Sequence, residues 1–247
     1  MNKLIHLLVV FLLSLPSLVY SQDDAYLPIS NQELQIRQTT GFILGYSESH
    51  EQAAWVAYEL TQEELKGDVE RKDNYREDND IKTGSALLSD YKYSGYDRGH
   101  LAPAADLKWS KQAMSESFLL SNISPQHRDF NRGIWLSLES AVRKWVMKHG
   151  DIYVVTGTVF LEDGNKIGSN GVAIPSHYWK ALYFISNNEM VGFMLPHKKG
   201  DRPLSGYVTS VDVIETATGL DLFAKLPDVE EDALEANKQV SHLLQLN

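Results

Sequence analysis

Three features of the 247-residue sequence predict a mixed fold of strands and helices in one domain. Residues 151–160 (DIYVVTGTVF) are dense in β-branched and aromatic side chains, as a central strand requires. Residues 178–186 (YWKALYFIS) and 190–196 (MVGFMLP) are two more such runs, joined by Asn187-Asn188, which predicts a hairpin. Residues 131–150 place Ile134, Leu138, Ala141 and Trp145 on one helical stripe.

The remaining elements follow in order. Residues 22–40 are polar and predict a loose lead-in. WVAYEL, residues 55–60, alternates as a strand does. Residues 64–84 are crowded with charge and predict a long surface loop, of a length that is often functional. Gly150 closes the long helix, and Lys148 and His149 suit its negative end. Residues 209–223 predict a strand, a short helix and a stop at Gly219. The acidic tail from Asp228 has a helical pattern. With no internal repeat and no Ser/Gly linker, residues 41–247 predict a single domain with an acidic C-terminal tail.

The N-terminus predicts export. Lys3 precedes an apolar run from residue 4 to residue 13, and Val19-Tyr20-Ser21 offers a small-residue cleavage site. A signal peptide over residues 1–21 is the expectation, with a periplasmic or extracellular product. The rival, an uncleaved anchor, needs about 20 apolar residues, so stable membrane association is not expected. The chain has no cysteine, which excludes disulfides, a lipoprotein thioether, thiol nucleophiles and Cys-based metal sites.

The net charge is −10, not the balance of a default polyanion binder. The charge is uneven, however. Residues 91–148 hold nine Lys and Arg against five Asp and Glu. That basic stretch contains Asp97-Arg98-Gly99-His100, where an acid, a guanidinium, a flexible link and an imidazole are adjacent.

These residue types suit phosphodiester hydrolysis. That reaction needs a base for water, a cation for the nonbridging oxygens and stabilisation of the leaving oxygen. His100 is the natural base near neutral pH. A hard divalent cation takes oxygen ligands, and the Asn131 carboxamide offers one on the inward face of the helix. Arg98 adds a planar donor for a phosphate oxygen. On a straight helix Glu139 falls about 80° round and ~12 Å along from Asn131, which suits orientation of water better than shared ligation. Each has a plainer reading: a solvated loop histidine for His100, a helix N-cap for Asn131, and an i,i+4 pair with Arg143 for Glu139.

Together, YDRGHLAPAAD (96–106) and NISPQHRDFNRGIWLSLE (122–139) closely resemble the DNA/RNA non-specific endonuclease family, the endonuclease G-like, sugar-non-specific nucleases. WVAYEL, the Arg71 and Tyr75 neighbourhood, VVTGTVF, AIPSHYWKALY, GFMLPH and VDVIETATGLDLFAKLP extend the resemblance from about residue 41 to residue 227. DRGH alone is moderately specific. Combined with the Asn-x7-Glu spacing and these flanks it is strong.

The resemblance implies an α+β fold, a central antiparallel sheet flanked by helices with a ββα-metal motif. It implies an endonuclease that cuts DNA and RNA to 5′-phosphate and 3′-hydroxyl ends with Mg²⁺, for which Mn²⁺ or another hard divalent cation can substitute. His100 is then the general base and Asn131 the metal ligand. Glu139 acts on the waters around the ion, and Arg71 and Arg98 hold phosphate. Asn122 occupies the place of a supporting active-site asparagine, Asp97 orients, and Gly99 permits the tight backbone that aims His100. Arg132, with Lys108, Lys111 and Arg128, is a candidate phosphate contact. The expected partners are DNA and RNA; no inhibitor protein is named by the sequence.

Two other functions use the same residues: a phosphodiesterase of narrower, small-molecule range, and a catalytically silent nucleic-acid-binding module. His127, His177 and His197 lack the short-range pairing of common zinc sites. Asn122-Ile123-Ser124 is a glycosylation sequon beside the expected active site, where modification is not expected.

Overall fold

The computed structural model describes residues 26–237 and 241–244; the signal peptide expected over residues 1–21 lies outside them. In chain order the main elements are β1 (Gln35–Gln38), β2 (Ile43–Ser47), β3 (Gln52–Leu60), β4 (Asp97–His100), α1 (Lys111–Glu116), β5 (Ile123–Gln126), α2 (Leu136–His149), β6 (Ile152–Val159), β7 (His177–Phe184), β8 (Glu189–Pro196), β9 (Val208–Thr209), α3 (Val211–Thr218), α4 (Asp228–Glu235) and α5 (Ser241–Leu244). Seven strands form one sheet in the order β9-β8-β7-β6-β3-β2-β1. Every neighbouring pair is antiparallel, so the fold is α+β with a central antiparallel sheet.

Both faces of the sheet are covered, which explains why its central strands read as nearly unbroken apolar runs. On one face Leu44, Val56, Val154, Leu182 and Phe193 pack against Leu138, Val142 and Trp145 of α2. Trp145 stacks on Phe193 with ring centroids 5.7 Å apart. On the other face Trp55, Val155, Trp179 and Tyr183 pack with Val211 and Ile214 of α3 and with Phe223. Gly157 lies opposite both Trp55 and Trp179. A Cβ there would fall 2.6 Å from Cζ2 of Trp179, so the glycine of VVTGTVF makes room for the indole.

The long helix differs from expectation at its start. It runs from Leu136, not residue 131, because Gly133 adopts φ −112° and ψ −109° and breaks the helical path. Asn131 therefore sits on a wide turn, Phe130–Trp135, that leads into α2. Straight-helix angles between Asn131 and Glu139 do not apply across that kink. At the other end Gly150, with φ 95°, terminates α2 by donating to the Val146 carbonyl. Gly219 stops α3 in the left-handed region at φ 69°, as expected.

The lead-in is more ordered than its polarity predicts. Ile29–Ser30 pairs with Leu220–Asp221, and β1 forms the sheet edge. Residues of β1 alternate between half-buried and exposed, with Ile36 outward, so no apolar pattern marks the strand. It is held by backbone pairing to β2 and by its polar side chains, with Arg37 paired to Asp78 and Asp80 and Gln35 bonded to the backbone of Asp80 and Lys82.

Candidate active site

β4 is the DRGH segment, and it pairs antiparallel with β5: Asp97 lies opposite Gln126, and His100 opposite Ile123. The kinked turn and α2 follow, so two strands and a helix enclose one cleft. The hairpin is tied to the main sheet from below. Tyr178 of β7 donates to the Pro125 carbonyl at 2.7 Å, and Ser124 donates to Gln52 at 2.6 Å. Gly99 leaves room for the buried Gln126 side chain across the hairpin. It is not a positive-φ residue; instead a Cβ would lie 2.1 Å from Cδ of Gln126, which packs across it.

The cleft has a volume of about 380 Å³. Its walls bring together Arg71, Arg98, His100, Asn131, Arg132 and Glu139, drawn from the charged loop, β4, the kinked turn and α2. Six of the seven residues expected at the site thus share it. The 64–84 loop forms one wall through Arg71, Asp73 and Tyr75. Lys108, Lys111 and Arg128 do not line the cleft.

His100 is buried, between the rings of Tyr75 (5.7 Å) and Phe118 (4.9 Å). Its Nε2 is enclosed and has no hydrogen-bond partner in the protein. Burial, with the nearby Arg71 charge, lowers its pKa to about 3, so the ring is neutral at physiological pH and able to accept a proton. Nε2 shares that lack of a partner with other buried side-chain atoms, among them those of the neighbouring Gln126, so what sets His100 apart is its place in the cleft wall.

Asn131 is oriented by Asp97. Its Nδ2 donates to Asp97 Oδ2 at 3.1 Å, which leaves Oδ1 as the free oxygen. It does not cap the helix, since α2 has no side-chain cap. Asp97 also accepts from Arg132, at 2.8 Å from Nε and 3.2 Å from Nη2. Partial burial pushes the Asp97 carboxyl up, but the hydrogen bonds from Arg132 and Asn131 outweigh it and hold the pKa below the usual value. Arg132 is therefore committed mainly to Asp97. Arg98 lies 4.3 Å over the Tyr75 ring, and Arg71 pairs with Asp73 at 2.6 Å.

Glu139 is buried at the cleft floor, and burial pushes its carboxyl up, against the field of Lys180. The pairing with Arg143 suggested by spacing does not form. Arg143 instead pairs with Asp106 at 2.7 Å, and Asp106 also accepts from Tyr58 at 2.8 Å.

Asn122 is the expected catalytic residue that the structure places elsewhere. It is fully buried and does not line the cleft. Its Oδ1 accepts from the Ala102 amide, and its Nδ2 donates to the Ala102 and Ser117 carbonyls. Its side chain ties the backbone of Ala102, just after His100, to that of Ser117, so it positions that strand end from outside the cleft. The same burial closes the sequon.

The histidine set also resolves. His197 Nε2 accepts from the His127 amide at 2.7 Å, and Nδ1 donates to the Pro175 carbonyl at 2.9 Å. Both nitrogens are spent, so no zinc site forms there. Among the described residues, one group of three acidic or histidine side chains converges, Asp212, Glu215 and Glu235, near α3 and away from the cleft. No helix of the described residues is long and apolar enough to cross a membrane.

Sequence reasoning missed Asp73, Asp106 and Lys180. Lys180 carried a signal, as the single charge inside an otherwise apolar strand. Asp106 carried none, because its partners Tyr58 and Arg143 are remote in sequence.

The chain matches a family model described as DNA/RNA non-specific endonuclease over residues 26–229. It is 34% identical over 203 residues to mitochondrial endonuclease G of Homo sapiens, covering 75% of this chain and 68% of the human protein. It is 38% identical over 215 residues to a nuclease of Syncephalastrum racemosum, covering 76% of this chain and 67% of that one. The solved structure of an EndoG/EndoGI complex aligns with a TM-score of 0.75 at 29% identity, over 81% of this chain and 89% of that chain. A match of that extent leaves one assignment: the chain belongs to the DNA/RNA non-specific endonuclease family, and it is a nuclease.

Proposed function

We propose that this protein is an exported endonuclease that hydrolyses DNA and RNA with a hard divalent cation, leaving 5′-phosphate and 3′-hydroxyl ends. The observation that carries this reading is the shared cleft of His100 and Asn131. One presents a neutral imidazole at the cleft wall; the other presents a carboxamide oxygen freed by Asp97. Oxygen donors without sulfur suit Mg²⁺, with Mn²⁺ able to replace it. Asn131 Oδ1 would hold the ion, which supplies positive charge to the phosphate and to the departing oxygen.

The residues of the chain supply the rest. His100 takes the proton from the attacking water. Arg98 and Arg71 bind nonbridging phosphate oxygens, with Arg98 braced on Tyr75. Glu139 accepts hydrogen bonds from water at the cleft floor and so orients it. Asp97 fixes the Asn131 amide and keeps Arg132 at the rim. Contacts made to phosphate carry no base information, which supports action on both polymers without sequence preference.

The complete set around one cleft supports catalysis over a silent binding module. The border of the cleft by the 64–84 loop at one wall supports a polymer substrate over a small one. Export rests on the N-terminal leader, although the human relative is named mitochondrial. The solved relative is titled as a complex in which EndoG is inhibited, and we propose a protein inhibitor as a partner here on that ground. Incubation of the mature protein with supercoiled plasmid and with RNA tests the reading: both are degraded with Mg²⁺ and spared by chelator. Loss of neither polymer would overturn it.

A further inference from the structure

The side chains of β7 that face α2 are Tyr178, Lys180, Leu182 and Phe184, by the period of two of a strand. Three of the four join the apolar core. Lys180 is the exception, a cation only 1% exposed. Among the described residues no carboxylate forms an ion pair with it, so it is not there to neutralise a buried acid by contact. Burying an ammonium without such a partner costs free energy, and an apolar side chain of similar length would serve packing better.

Its contacts all converge behind His100. Nζ donates to the Leu101 carbonyl at 3.4 Å, the residue directly after the histidine. It donates also to Thr156 Oγ1 at 3.2 Å, on the cross-strand neighbour in β6. The Thr156 hydroxyl proton goes to the Trp179 carbonyl, which leaves its lone pair for the ammonium. The ammonium lies 4.6 Å over the ring of Trp135, and the Trp135 indole donates to the His100 carbonyl at 3.4 Å. The carbonyls of His100 and Leu101 are therefore both gripped from one point inside the core. Trp135 also ends the kinked turn that carries Asn131.

We propose that Lys180 is a positioning residue of the nuclease centre: from beneath the cleft its ammonium fixes the backbone that aims His100. The proposal rests on the nuclease reading of the cleft. The field of Lys180 is the largest influence favouring ionised Glu139, ahead of Arg143 and Arg71, whereas Asp106 opposes it. The effect is mutual, since Glu139 and Asp106 favour the charged form of Lys180 against its burial.

The test uses Lys180→Met, which keeps length and removes charge, and Lys180→Gln, which keeps a donor and removes charge. Plasmid cleavage and thermal unfolding are measured beside wild type. The expected result for Lys180→Met is a fall in kcat of at least tenfold with KM little changed and unfolding temperature equal or higher. Lys180→Gln is expected to recover part of kcat through the Leu101 contact. A folded Lys180→Met with wild-type kcat overturns the proposal, as does a variant that only unfolds more easily. If Lys180→Met does not fold, Lys180→Gln decides, and full kcat in that variant overturns it. Inactive wild type would instead strike at the nuclease reading itself.

Discussion

Asn131 and Asp97 are joined by a 3.1 Å hydrogen bond that turns the carboxamide so that its oxygen, not its nitrogen, is free. The residues are 34 positions apart, and the bond crosses from the kinked turn to β4. On the proposed metal-holding role of Asn131, use of a cation would depend on a residue that need not touch the ion. Asp97→Ala frees the amide to rotate and releases Arg132. The half-saturating Mg²⁺ concentration for plasmid cleavage is expected to rise about 10- to 100-fold, the usual effect of losing an outer partner. An unchanged Mg²⁺ titration would remove this role from Asp97.

Catalysis and stability are expected to separate at His100. His100→Ala is expected to lower kcat by roughly 10²- to 10⁴-fold, the range for losing a general base. Its unfolding temperature is expected to hold or rise, since the change removes an orphaned buried nitrogen. Calorimetry beside the rate measurement checks both halves. A large loss of stability would mean that the ring is structural.

Acid is expected to weaken the fold through its buried histidines, His100 and His197 most of all. Burial lowers His100 to about 3, and burial with His127 lowers His197 to about 4. Each is below the unfolded value near 6.5, so the unfolded chain binds protons that the native chain refuses. Their contribution to stability is complete above about pH 6.5 and is lost as the pH falls toward 4 and 3. His197→Gln is expected to flatten the slope of unfolding free energy between pH 6 and 5, by up to about 1.4 kcal/mol per pH unit. Denaturant titrations at those two pH values measure it, and an unaltered slope would contradict the assignment.

Substrate affinity is expected to be weak and steep in salt, because on the proposed reading only a few guanidinium groups would contact phosphate on an otherwise acidic body. With a His100→Ala background to prevent cleavage, Arg98→Ala is expected to reduce the log–log salt slope of DNA binding by about 1. A slope equal to that of the parent would show that Arg98 meets no phosphate.

The strands and the site residues were legible to different degrees, for physical reasons. β6, β7 and β8 are buried on both faces, so their composition alone marks them. β1 is an edge strand held by its backbone and by polar contacts of Gln35 and Arg37, and its QIRQ sequence gives no apolar pattern to read. His100, Asn131 and Glu139 were visible because the family motif fixes their spacing, but the kink at Gly133 was not, and it resets the geometry between the last two. Asn122 matched the motif and proved to serve the backbone of Ala102; spacing records that a residue is needed and not which atoms it meets. Lys180 and Asp106 work through partners that only the tertiary fold brings near.

The most direct measurement is the rate of supercoiled plasmid cleavage against divalent cation concentration for wild type, His100→Ala and Asn131→Ala. The account expects wild type to saturate, Asn131→Ala to need far more cation, and His100→Ala to stay slow at every concentration while still binding DNA. A His100→Ala protein that cuts as fast as wild type, or an Asn131→Ala protein with an unshifted cation curve, would contradict a shared site built from these two side chains.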